Sequence, residues 1–450
     1  KATVNNSLIT VNALLGTYLK GALTMVTNIC VKCSTCGKIF RLRWQIGYNK
    51  ADVNIICPEC KTHIGATLDV GSKHIFKNLS LCDQKDNDLD GDYLVEISTE
   101  FFTKKITSNT NRFSPENIIT PFIRNSFSLP KNYMNLIKYG EEIRNITQQF
   151  EKIYDLYINK SYGYLKKLLR SDEDKFAICC RKSVPNYKLN TELDLLMAVH
   201  QYLKCMINNC MIDDTHKKIE RILKDINSGL RDKTIKYKDF LSVLSSENLF
   251  EKANNKFISI TTNYLEIFFD LIPLYLCSID NLDLNEYGIN TIDLEKLIVI
   301  YKKCYEFLGE FIILPIGLNN IEVRLDANIF HNGRNNPIFT FLESISSKYN
   351  RYNDFLLVGE PFSDMFLGGL DNVIRNSEAH FDYVYNQIDQ RITFINNNKG
   401  NKTEISKYMI EFGNDVINIY QKCVLLWEIG YQLQKGDLLL NKGIKLTFGR

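Results

Sequence analysis

The sequence predicts a mainly α protein with a small β module at its N-terminus, and three observations carry that expectation. Cys30, Cys33, Cys36, Cys57 and Cys60 fall in two tight groups within the first 82 or so residues. The text between the groups, KIFRLRWQIGY, mixes aromatic and branched residues with basic ones between glycine and proline turns, as strands do. Beyond Pro130 the pattern changes, and apolar residues recur at spacings of three, four and seven, the period of amphipathic helices. No fixed-period repeat points to a solenoid.

At 450 residues the chain suggests roughly two to three domains. The sequence divides into a cysteine module at 1–82, a linker and helical middle region at 83–240, and a helical C-terminal domain at 241–450. Hydrophobic residues make up 45% and charged residues 24%, which excludes general disorder and a membrane bundle. A formal net charge of +3 gives no whole-molecule basic field, so any nucleic-acid surface must come from local clustering.

No uninterrupted apolar run reaches the roughly 18 to 20 residues that span a bilayer. LEIFFDLIPLYLCSI is interrupted by Glu266, Asp270 and Pro273, and the stretch from Val11 to Val31 carries Lys20 at its middle. The N-terminus lacks the order of a signal peptide, so a cytoplasmic protein without a membrane partner is expected. Thirteen cysteines is an odd number, and Cys277, Cys304 and Cys423 sit singly in apolar helical patterns. Such thiols suit a reduced core, and no disulfide framework is expected.

Along the chain, YLVEIST after the acidic text DQKDNDLDGD reads as a strand. Phe150, Ile153, Tyr154, Tyr157, Tyr164, Leu165 and Leu168 read as one helix, or as a pair broken around Gly163. TELDLLMAVHQYLKCMI, THKKIERILKDI, TIDLEKLIVIYKKCYEFLGEF and FLESISSKYNRY have helical spacing. From about Pro361 a helical run leads to IRNSEAHFDY, then to a strand RITFI, a turn NNNKG and a final helix. That helix is expected to align Ile405, Tyr408, Phe412, Val416, Ile419, Cys423 and Trp427.

Cys33 and Cys36 form one C-x2-C pair, Cys57 and Cys60 a second, and twenty residues separate them. Four thiolates so spaced match the tetrahedral demand of structural zinc, with Gly37, Lys38 and Pro58 as turn residues at the knuckles. The module resembles a zinc ribbon. Cys30 with Cys33 is an alternative pair, and His63 is a ligand only if a cysteine fails. A closed four-cysteine site leaves no open position, so the metal is expected to hold shape. Lys32, Lys38, Arg41, Arg43, Lys50 and Lys61 are interleaved with Phe40, Trp44 and Tyr48. The mixture suits nucleic acid, or equally a ribbon core beneath solvated lysines.

Asp86, Asp88, Asp90 and Gly91 begin like a calcium loop, but position twelve is Ile97 and Glu96 falls one residue early. A solvated acidic loop is the expectation.

Within IRNSEAHFDY, Arg375 is followed by Asn376, Ser377, Glu378, Ala379 and His380, an R-x4-H pattern. Histidine exchanges protons near neutral pH, and arginine stays charged while presenting a planar fork to phosphate. Cleavage of RNA by its own 2′-hydroxyl needs both services. Five residues on an ideal helix set the two side chains about 140° apart. The helix is therefore expected to end near His380, or two copies to build a composite seam. The alternative is an Arg375–Glu378 i,i+3 ion pair with His380 capping the helix. Asn376 would orient phosphate or the histidine. Among the other histidines, His331 reads as an exposed loop residue, His200 as partly buried and His216 as the opening of a charged helix.

With its flanking apolar run, strand and final helix, roughly residues 360–435, this motif resembles the HEPN superfamily of helical ribonuclease and nucleotide-binding domains. The resemblance implies a HEPN-like C-terminal helical bundle and a metal-independent endoribonuclease with Arg375, His380 and Asn376 in its site. It also implies a homodimer, an RNA substrate, and toxin or antiviral-defence settings with a regulatory partner or activating ligand. The rivals are a non-catalytic zinc-ribbon regulator that binds RNA or nucleotide, and a partner-binding subunit.

Overall fold

Two antiparallel hairpins open the folded chain, each closing on a pair of cysteines. The computed structural model describes residues 26–45, 50–69, 74–83, 91–111, 114, 119–125, 133–171, 189–280, 282–345, 352–369, 371–380, 382–398 and 401–445. Asp86, Asp88 and Asp90 of the acidic loop lie outside these residues, as does Tyr48.

Strands β1 (Val26–Cys33) and β2 (Ile39–Gln45) pair with Val26 opposite Gln45 and Lys32 opposite Ile39. Strands β3 (Ala51–Ile56) and β4 (His63–Leu68) repeat the arrangement, with Ile56 opposite His63. Short β5 (Ile75–Lys77) joins β4, and β6 (Leu79–Leu81) joins β1. YLVEIST does contain a strand: β7 (Tyr93–Ile97) lies parallel to β2, giving one sheet in the order β6-β1-β2-β7 and another in the order β3-β4-β5. The first sheet thus crosses the expected boundary at 82. Period-two alternation sends Phe40, Leu42, Trp44, Val53, Ile55, Val95 and Ile97 into one shared core.

Most of the described residues beyond β7 are helical, so the chain is mainly α. Strand β8 (Thr103–Lys104) and helix α1 (Pro121–Asn125) lead to α2 (Tyr133–Ile158) and α3 (Tyr162–Ser171). The break between α2 and α3 falls just before Gly163, where Lys160 takes a φ of 53°. Next come α4 (Glu192–Met206), α5 (Asp213–Asp232), α6 (Thr234–Ser246) and α7 (Leu249–Leu276). A capping box starts α4: the Asp194 N–H donates to Thr191 Oγ1 at 3.1 Å and the Thr191 N–H to Asp194 Oδ2 at 3.0 Å. By length and composition α7 passes for a membrane span, but 67% of its apolar window is buried inside the fold.

Strand β9 (Tyr287–Gly288) pairs with β8. Helices α8 (Leu294–Glu310), α9 (Ile313–Arg324), α10 (Ile338–Glu343), α11 (Tyr352–Phe355), α12 (Ser363–Phe366) and α13 (Asn372–His380) follow. Part of FLESISSKYNRY, residues 346–351, lies outside the described residues. Strands β10 (Tyr383–Asn386), β11 (Arg391–Asn398) and β12 (Asn401–Tyr408) then form a meander ahead of the last helix, α14 (Met409–Leu440). The final helix therefore begins eight residues later than a start at the turn's end would place it, and Ile405 and Tyr408 belong to a strand. Their backbone is claimed across the NNNKG turn, with Ile405 opposite Phe394 and Tyr408 opposite Arg391. Helix α14 runs through the centre of the core, where Tyr420 stacks on Tyr264 of α7 at 3.7 Å and Trp427 on Phe257 at 4.6 Å.

Candidate functional site

The two hairpin tips form a matched pair of knuckles. The Cys33 N–H donates to Lys38 O at 2.9 Å and the Gly37 N–H to Cys33 O at 3.0 Å. At the second tip, Cys57 N–H to Thr62 O and Lys61 N–H to Cys57 O repeat those bonds at 2.9 and 3.0 Å. Gly37 (φ 78°) and Lys61 (φ 62°) occupy the same left-handed position, which costs glycine nothing. The Thr62 hydroxyl joins the knuckles through Thr35 Oγ1 at 3.0 Å.

Together the turns bring the four sulfurs of Cys33, Cys36, Cys57 and Cys60 within 4.8 Å of one another. Cys33 and Cys60 lie 3.7 Å apart and Cys36 and Cys57 3.6 Å apart. Sulfurs at the corners of a tetrahedron around zinc, with bonds of about 2.3 Å, stand about 3.8 Å apart, so these four residues fit a metal ion. Hydrogen bonding with Thr62 draws the Cys60 thiol down to about 6, whereas burial drives Cys57 up to about 12. A metal would be held by all four and would supply shape, because the protein ligands fill a tetrahedral shell.

Cys30 is no alternative ligand. Three residues from Cys33 on one strand, it faces the opposite side of the sheet and forms a disulfide with Cys82, Cα to Cα 5.5 Å. One disulfide thus stands where no disulfide framework was expected, while Cys277, Cys304 and Cys423 are thiols. In the basic and aromatic text of the module the described rings are core, while Lys38 and Lys61 stay at the surface. Phe40 and Trp44 are buried, Arg41 is buried, Arg43 meets Glu96 at 3.6 Å, and Lys38 meets Asp92 at 2.9 Å. A stacking platform for bases would need those rings exposed.

Arg375 stands on the nine-residue helix α13, which ends at His380. Asp371 caps its start by accepting the Val373 N–H at 2.7 Å, and the Asp382 N–H closes its end on Ser377 O at 2.8 Å. Arg375 Nη1 donates to Asn376 Oδ1 at 3.1 Å, and Nη2 to Glu306 Oε1 of α8 at 3.3 Å. Its Nε is buried with no acceptor among the described residues. Among the described residues Arg375 pairs with Glu306, 69 residues away in sequence, and the pairing with Glu378 lies outside them. The side chains of Glu378 and His380 lie outside the described residues. His331 is exposed as expected.

Two polar clusters escape a reading of the sequence. His200, expected at partial burial, is wholly inside: its Nε2 is 3.2 Å from Glu428 Oε2, and its ring stacks on Tyr431 at 3.4 Å. Lys204 Nζ reaches the same carboxylate oxygen at 3.0 Å. Burial opposes charge on Glu428, yet His200 and Lys204 hold its carboxyl well below the usual range, while burial lowers His200. The i,i+4 spacing of His200 with Lys204 and of Glu428 with Gln432 was its only signal.

The second cluster joins the cysteine module to the helices. Gln387 Oε1 accepts the Ile56 N–H at 2.9 Å, and Asn290 O accepts the Asn54 N–H at 3.1 Å. Gln390 Nε2 donates to Asn290 Oδ1 at 2.7 Å, and Asn290 Nδ2 donates to Glu96 O at 3.0 Å.

Comparison of the chain with protein-family models, with curated proteins and with solved structures found no match.

Proposed function

We propose that this chain is a metal-independent endoribonuclease with a HEPN-like C-terminal domain, acting as a homodimer in the cytoplasm, and that its four-cysteine centre holds structural zinc. The observation that carries the reading is Arg375: a guanidinium fixed by Asn376 and Glu306, with no acceptor for Nε among the described residues, on a short helix whose last residue is His380. A phosphoryl oxygen would take the place of Glu306 on the exposed side of the guanidinium.

In the proposed reaction His380 takes the proton from the RNA 2′-hydroxyl, and the freed oxygen attacks the adjacent phosphorus. The bond to the 5′-oxygen breaks, that oxygen receives a proton from His380 of a second copy, and Arg375 compensates the phosphoryl charge. The products are a 2′,3′-cyclic phosphate and a 5′-hydroxyl. Toxin or antiviral roles, with a restraining partner or an activating ligand, follow from the family resemblance.

The test is incubation with total RNA without added magnesium, calcium or manganese, the zinc content per chain being measured before and after. Cleavage with those ends supports the proposal. A second reading, a non-catalytic RNA or nucleotide binder or a partner-binding subunit, is favoured by one observation: Glu306 already neutralises the guanidinium. It expects binding without cutting, with Arg375→Ala and His380→Ala changing affinity alone.

A further inference from the structure

Strand β3 is an edge of its sheet, so every second N–H along it points away from β4. Those groups do not face water. Asn54 and Ile56 direct theirs into the helical domain, to Asn290 O at 3.1 Å and Gln387 Oε1 at 2.9 Å. Ile56 immediately precedes the metal-site residue Cys57, whose own N–H is fixed by the knuckle at Thr62 O. The line along which β3 leaves the metal site therefore decides where the Ile56 N–H is presented.

Its acceptor sits in the turn between β10 and β11, the strand pair that follows the Arg375 helix. Gln387 is 4% exposed and Gln390 1% exposed, so neither amide has water as a fallback. Gln390 secures the far side of the turn: Oε1 accepts the Ile289 N–H at 2.8 Å, and its backbone O accepts the Met409 N–H at 2.8 Å. The fit requires glycine at 288, because a Cβ there would collide with the Gln390 amide. From β10 the path to the helix is short. The Ile395 N–H donates to Asp382 O, and the Asp382 N–H to Ser377 O, each at 2.8 Å. Ser377 is buried on α13, two residues from Arg375.

We propose that Gln387 is a positioning residue that couples occupancy of the four-cysteine centre to the placement of the Arg375 helix. The claim rests on the ribonuclease reading for its consequence in cleavage, but not for the coupling itself. With the second knuckle closed on a metal, Ile56 presents its N–H to Gln387 and the β10–β11 turn is held against the module. With the knuckle open, that bond is lost, and the turn and the end of α13 loosen together.

The experiment compares metal-depleted full-length protein with the same protein reconstituted with Zn2+ alone, reading backbone hydrogen exchange and RNA cleavage. In the wild type, zinc should slow exchange in residues 50–69 and also in 372–398. Cleavage should rise by about 10-fold to 100-fold, the scale on which small misplacements of reacting groups act. Gln387→Met, isosteric but without an acceptor, should bind as much zinc and protect 50–69 while losing the response in 372–398. Gln387→Glu, which restores an acceptor oxygen, should regain it. Zinc-dependent protection of 372–398 that is absent in the wild type, or identical in Gln387→Met, overturns the proposal. If the exchange response appears but no preparation cuts RNA, the coupling stands and the ribonuclease reading falls.

Discussion

Glu306 of α8 holds Arg375 of α13 across 3.3 Å, with the arginine side chain 37% and the glutamate 46% exposed. Such a pair, open to solvent, is worth only about 0 to 1 kcal/mol, so a phosphate can displace the carboxylate. Glu306→Gln should therefore tighten RNA binding several-fold at low salt, with the gain shrinking as salt rises. A filter-binding titration across salt concentrations checks it, and unchanged affinity at low salt would separate Glu306 from the phosphate site.

Arg375→Ala and His380→Ala should each lower cleavage by about 100-fold or more while leaving fold, zinc content and association intact. Single-turnover assays on defined RNA, with end-group analysis, measure this. Full activity in folded His380→Ala protein would sink the assignment of the acid/base. Mixing wild-type chains with an excess of His380→Ala chains tests the composite seam, because a mixed dimer keeps only one of the two histidines the reaction uses and cleavage should fall below the wild-type fraction.

Elemental analysis should find about one zinc per chain. Cys57, raised to about 12, is protonated at neutral pH in the metal-free protein and must lose its proton on binding, whereas Cys60, lowered to about 6, is already largely thiolate. Zinc binding should release protons, and affinity should rise with pH between 6 and 8, measured as proton release in two buffers of different ionisation enthalpy. Affinity independent of pH over that window would contradict thiol ligation.

The cluster of buried His200 and Glu428 with half-buried Lys204 should make the fold acid-sensitive. Burial lowers His200 in the folded state, so the unfolded chain takes up the proton first as pH falls through about 6.5, and stability declines. Glu428 is depressed, so its contribution is whole above about 4.3 and is lost as pH falls towards its folded value. Both effects have the same sign. Denaturant midpoints should fall between pH 7 and 5, and His200→Gln should flatten that part of the profile. Glu428→Gln should cost about 1.5 to 3 kcal/mol at pH 7, because His200 and Lys204 lose a hydrogen bond to a charged acceptor.

Local chemistry was legible in the sequence and long-range pairing was not. Spacing alone identified Cys33, Cys36, Cys57 and Cys60, because each knuckle is a property of six consecutive residues. Helical periodicity gave α4, α5 and α8. It misled at Ile405, Tyr408 and Phe412, whose separations of three and four mimic a helix although the first two are strand residues paired across a hairpin. The turn residues of NNNKG carried the contrary signal. Partners such as Glu306 for Arg375, Cys82 for Cys30 and Gln387 for Ile56 lie 69, 52 and 331 positions apart, and nothing local marks them.

The Ile56–Gln387 bond spans 331 residues of chain, which gives it a meaning in time as well as in space. A ribosome adding roughly 5 to 20 residues per second needs roughly 20 to 70 seconds to travel from one partner to the other. Throughout that interval the cysteine knuckles can close, but the edge of β3 has no acceptor at Ile56. Helix α13 in turn emerges before the turn that anchors it. The nascent protein thus acquires its four-cysteine end first and its supported Arg375 last, so only a nearly finished chain can present that guanidinium in its final place.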